Sequence, residues 1–115
     1  RSGVETVLDL IGFDERMRDV DLVITGEGNM DEQSAAGKAP VGVARRAKRC
    51  GKPVVAVVGG RADNLDAVYE QGIDLVLPIC RKPMDLEQAL DPQEATTNLI
   101  CAGEATAQAY DLARL

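Results

Sequence analysis

Residues 21–40 read DLVITGEGNMDEQSAAGKAP, and this stretch decides the fold. Leu22, Val23 and Ile24 make an apolar run of strand length between Asp21 and Gly26. The run gives way to Thr25, Gly26, Glu27 and Gly28, where the two glycines predict a tight turn at the strand's carboxyl end. Asp31, Gln33, Ser34 and the Gly37-Lys38 pair follow, and Pro40 suits the first turn of a helix. Ligands of open parallel α/β sheets bind beyond the carboxyl ends of the strands. Acid, hydroxyl, amide and ammonium groups gather at such an end here, so the chemistry is placed here.

The rest of the chain repeats the alternation. Residues 54–58, all Val or Ala, are the continuous apolar run expected of a strand buried on both faces, and Gly59-Gly60 close it. Leu75, Val76 and Leu77 mark a third strand. The helix after Pro40 has an apolar stripe of Val43, Ala44, Ala47 and Cys50 and stops at Gly51 and Pro53. Its Arg45, Arg46, Lys48 and Arg49 read as a solvated face. Asp63 to Gln71 forms a short helix with Leu65, Val68 and Tyr69 inward and Gly72 as its cap. Upstream, Val4, Val7, Leu8 and Ile11 share one helical face that ends at Gly12, and Phe13, Met17 and Val20 line a second short turn. Downstream, Asp85 with Gln88 is a capping box for Leu86 to Leu90. Asp91, Pro92 and Glu94 then open a long helix with Ala95, Leu99, Ala102, Ala109 and Leu112 near one face. The spacing predicts strands near 21–25, 54–59 and 74–79, with helices near 4–11, 40–50, 64–71 and 92–113. Helices alternating with buried strands mean an α/β fold with a mainly parallel open sheet.

The 115 residues suffice for one domain. A net charge of −6 and only three aromatic residues, Phe13, Tyr69 and Tyr110, disfavour nucleic acid as a partner. No His is present, so zinc and haem lose their usual ligand and a His-based triad is excluded within the chain. Cys50, Cys80 and Cys101 form no C-x-x-C pair, and read as small core residues or bystanders in a reduced, cytoplasmic setting. No apolar run reaches the ~20 residues of a membrane span. The first residue is Arg1 rather than Met, so we expect a part of a longer chain.

Each candidate group has a plainer reading beside the functional one. Gly26 and Gly28 permit positive φ and close approach of a ligand, or simply make a turn. Glu27 can hydrogen-bond a hydroxyl or bind Mg²⁺, or can be a solvated loop acid. Asp31 can be a second metal ligand or can bond loop amides. Gln33 and Ser34 are neutral hydrogen-bond partners, with Ser34 also suited to a helix N-cap. Lys38 can meet a phosphate at the helix start. The segment is not a Walker A loop, which needs Gly at Glu32 and Ser or Thr at Ala39. Nor is it a dinucleotide fingerprint, since Asp31 stands where the third glycine belongs. Arg61 can reach a carboxylate or phosphate, or can be an exposed loop residue.

The pattern D-L-V-I-T-G-E-G-x-M-D-x-Q-S-x-x-G-K-A-P-x-G-V-A, then A-K-x-x-G-K-P-V-x-A-x-x-G, resembles the C-terminal region of bacterial type I glycerate kinases. The resemblance implies a two-domain kinase that phosphorylates D-glycerate with Mg-ATP to 2-phosphoglycerate. It implies a Rossmann-like domain built from both ends of the chain and an active site in the interdomain cleft. Carried over at matching positions are Gly26, Glu27, Gly28, Asp31, Gln33, Ser34, Gly37 and Lys38. We assign Glu27, Asp31 and Lys38 to catalysis, Glu27 and Asp31 to the metal, and the others to substrate. Asn29 stands where the family commonly has Arg. The chain offers no obvious apolar slot for an adenine ring, and with the rest of its own protein absent it is expected to be inactive. The alternative is a stand-alone module that binds a small anion or nucleotide without catalysis.

Overall fold

The structure, a computed structural model, describes residues 3–36 and 39–115. In chain order it contains α1 (Gly3–Leu10), α2 (Phe13–Arg16), β1 (Val23–Met30), α3 (Ala39–Arg49) and β2 (Val54–Arg61). There follow α4 (Asp66–Glu70), β3 (Leu75–Pro78), α5 (Leu86–Leu90) and α6 (Pro92–Ala113). Short 3-10 turns occupy Met17–Asp19 and Glu32–Ala36. The strands form one parallel sheet in the order β1-β2-β3. Val23 pairs with Val54 and Ala56 with Val76, so all three strands end on the same edge.

The apolar alternation sorts the two faces. Val23, Val54, Ala56, Val58 and Val76 point into one core with Leu8 of α1, Ala44 and Ala47 of α3, and Val68 of α4. Gly42 of α3 lets α1 come close, since a Cβ there would lie 2.3 Å from Val4 Cγ1. Gly12, between α1 and α2, has φ 65°, the left-handed conformation expected of its capping place. The capping box at Asp85 and Gln88 is formed, and Asp91 accepts from the Glu94 N–H at the start of α6.

Several expectations need correction. The basic face of α3 is engaged rather than merely solvated. Arg46 bonds Asp9 at 2.6 Å and Asp14 at 2.8 Å, Arg49 bonds Glu5 at 2.8 Å, and Lys48 pairs with Asp74. These pairs tie α3 to α1, α2 and the start of β3, and the two carboxylates raise the Arg46 pKa further. The inward stripe of α6 is Asn98, Ala102 and Thr106, whereas Leu99 and Leu112 face outward. Asn98 buries at little cost because Arg81 Nε donates to its Oδ1 at 3.0 Å, and Thr106 donates to the Ala102 carbonyl at 2.8 Å. Tyr69 is partly exposed rather than inward.

The cysteines differ in setting. Cys50 is half-buried, and burial first, then the charge of Asp14, pushes its thiol pKa up; Cys80 is exposed. Thiolate is the reacting form. Alkylation near neutral pH is therefore expected to modify Cys80 ahead of Cys50, as peptide mapping by mass spectrometry will read.

Candidate functional site

The Gly26-Glu27-Gly28 segment is not a turn. β1 runs through it to Met30, and β2 likewise runs through Gly59-Gly60 to Arg61. None of these glycines has positive φ. At Gly59 the glycine allows close approach between strands, as a Cβ there would lie 2.5 Å from the Gly28 carbonyl oxygen. Glu27 thus stands inside a ladder, opposite Val58. Its alternation with Val23 and Thr25 turns it to the sheet face that packs against α1, α3 and α4. It is half-buried, and its Oε1 accepts from the Gly28 N–H at 3.3 Å.

Asp31 follows the strand and is fixed by a closed set of local bonds. Its Oδ1 accepts from the Gln33 N–H at 2.9 Å, its N–H donates to Ser34 Oγ at 3.0 Å, and its carbonyl accepts from the Ser34 N–H at 3.1 Å. Ser34 is fully buried inside the Glu32–Ala36 turn, so it braces Asp31 instead of capping α3. Asp31, Glu32 and Gln33 line a shallow cavity of about 280 Å³ with Ala62, which follows β2. Gly37 and Lys38 lie outside the described residues. The structure therefore gathers Asp31, Gln33 and Ser34 in one loop, with Glu27 upstream in the strand that leads to it.

No group of three His, Cys, Asp or Glu side chains that could hold a metal ion exists among the described residues. Neither Glu27 nor Asp31 is paired with a cation there. Two unpaired carboxylates suit Mg²⁺, which keeps several waters and is held by one or two carboxylates together with substrate phosphates.

Arg61 is committed to its own loop. It donates to the Ala62 and Asp63 carbonyls, both at 3.0 Å, and to the Tyr69 hydroxyl at 3.2 Å. Sequence reasoning also missed a groove. An apolar hollow of about 480 Å³ lies where the carboxyl ends of β1 and β2 meet α5, with Gly28, Gly60, Ile79, Leu86 and Leu90 in its lining. The expectation of no apolar slot is corrected. The signal was spread over residues about sixty positions apart, and the leucines of α5 look like core until the fold leaves them outside.

A parallel sheet with acidic and amide groups at its carboxyl edge is an α/β arrangement in which ligands bind beyond the strand ends. The chain belongs to the glycerate kinase family, which it matches over residues 1–111. It is 53% identical over 89 residues to a glycerate kinase of Bacillus cereus, covering 77% of this chain and 23% of the relative. It is 41% identical over 108 residues to a glycerate kinase of Haemophilus influenzae, covering 94% and 28%. The glycerate 2-kinase of Escherichia coli is 40% identical over 89 residues, covering 77% and 23%. A crystal structure assigned to glycerate kinase 2 of Salmonella typhimurium superposes with a TM-score of 0.54 at 34% identity, covering 94% of this chain and 28% of that one. The chain spans about a quarter of the length of these relatives.

Proposed function

We propose that the chain is the C-terminal part of the α/β domain of a type I glycerate kinase. The whole protein phosphorylates the 2-hydroxyl of D-glycerate with Mg-ATP and yields 2-phosphoglycerate and ADP in the cytoplasm. The single observation that carries this reading is the pair of carboxylates, Glu27 and Asp31, at the carboxyl end of β1, neither paired with a cation among the described residues, in a chain of this family. The name of the Escherichia coli relative supports the 2-position.

Magnesium-bound ATP, when present, supplies the phosphoryl group and neutralises charge that develops on it. Glu27, stiffened by the ladder, takes the proton of the attacking hydroxyl as the new O–P bond forms and ADP leaves. Asp31, held by the Gln33 and Ser34 bonds, is oriented to carry the cation. Gln33 and the backbone of Gly26 and Gly28 bond the substrate. Ser34 serves it through Asp31, and Gly37 and Lys38 meet a phosphate.

Two surface features support a missing remainder. Among the described residues β1 has a free edge, which is a template for another strand. Ile24, on the sheet face away from the main core, is 56% exposed. Completion of the sheet by the rest of the protein covers both.

The test is ADP release coupled to a spectrophotometric readout, with ³¹P spectra of the product. The full-length protein is expected to turn over with D-glycerate and to form 2-phosphoglycerate, while the 115-residue chain alone does not turn over. Full-length protein without glycerate-dependent ADP release overturns the reaction. Sustained turnover by the chain alone overturns the need for a remainder.

A further inference from the structure

We propose that the groove between the strand ends and α5 receives the purine ring of the nucleotide. The proposal rests on the kinase reading above, from which it takes only the need for a nucleotide donor. The groove lies at the carboxyl edge of the sheet, where such domains bind ligands, and its volume of about 480 Å³ is that of a small-molecule site.

Its chemistry selects the part of the ligand. No charged side chain lines it. A glycerate carboxylate or a phosphate would find no counter-charge there, so neither occupies it. A neutral flat ring fits better. Leu86 and Leu90, 73% and 69% exposed, offer an apolar wall to the ring face. The backbone at Gly28 and Gly60, and the Asn29 amide, offer donors and acceptors to its polar rim.

The floor is open as well. A Cβ on Gly28 would meet nothing within 4 Å, so glycine here is not demanded by packing. Asp31 stands three residues further along the chain, at most about 10 Å away. A nucleotide with its base at Gly28 can thus direct its phosphates past Asn29 toward Asp31. The base and the catalytic acids then lie on opposite sides of the end of β1.

Amide ¹H–¹⁵N spectra of the full-length protein test this directly. Adenosine is the probe, with inorganic tripolyphosphate and D-glycerate as comparators. Adenosine is expected to cause saturable shifts at Asn29, Gly60 and Cys80, and the comparators are expected to leave these amides in place. Leu86→Asp puts a charge on the wall at an exposed position, and Gly28→Leu fills the floor. Each is expected to abolish the adenosine shifts, with circular dichroism reporting the retained fold. Absence of shifts, shifts confined to other residues, or shifts that persist in both folded variants would overturn the groove as a base site. The kinase reading fails separately. Adenosine shifts in a protein without glycerate-dependent turnover sink the reaction and keep the groove. Full turnover by Gly28→Leu at an unchanged KM for ATP sinks the groove and keeps the reaction.

Discussion

Glu27→Gln in the full-length protein lowers kcat by about 10²–10⁴-fold, the range lost when a general base is removed. The substitution keeps the size and hydrogen-bonding shape of the side chain and removes its capacity to take a proton. Glu27 sits in a paired strand opposite Val58, so the backbone that presents it is not free to adjust. Stability is expected to stay within about 0.5 kcal/mol of the parent, as for a partly exposed side chain with one weak local bond. An interaction made mainly in the transition state lowers kcat and kcat/KM together. Steady-state kinetics at saturating D-glycerate read both, and near-normal kcat would remove Glu27 from the proton transfer. Asp31→Asn is the informative neighbour. Its amide oxygen retains the bond from the Gln33 N–H, so the loop keeps its shape while the cation loses a negative ligand. Added Mg²⁺ should therefore restore much of the rate to Asp31→Asn and none to Glu27→Gln.

The fold was legible because its signals are local. The β-branched run at 54–58 and the caps at Gly12, Asp85 and Asp91 place elements by short-range chemistry, and each stands where expected. What misled were residues whose meaning is set across the sheet. Gly26, Gly28, Gly59 and Gly60 read as turns in one dimension, yet the two strands run through them side by side to Met30 and Arg61. Ser34 read as a cap, although its buried hydroxyl is spoken for by the Asp31 N–H. Leu99 and Leu112 read as core, but α6 turns Asn98, Ala102 and Thr106 inward because Arg81 and the helix's own carbonyls satisfy the polar ones. The acids of the site were visible as residue types. Which of them share a face was not, because a strand and a turn hand their side chains to different sides.

The paired glycines at the strand ends make the sharpest contrast in stability. Gly59→Ala is expected to destabilise the chain by about 1–3 kcal/mol, the usual cost of inserting a carbon where packing leaves no room. The new Cβ would lie 2.5 Å from the Gly28 carbonyl oxygen. That oxygen belongs to a backbone, not to a flexible side-chain end, so relief requires β1 and β2 to separate. Gly28→Ala meets nothing within 4 Å, and Gly28 lies in β1 without a positive φ. It is expected to be neutral, or stabilising by about 0.4–1 kcal/mol through a stiffer unfolded chain. At roughly 4 °C or more per kcal/mol for a domain near this size, the two variants separate clearly in thermal unfolding followed by circular dichroism. Equal melting temperatures would mean that the strand ends are not in the contact described. A low melting temperature for Gly28→Ala alone would place the crowding at the floor of the groove, where the purine ring is proposed to lie.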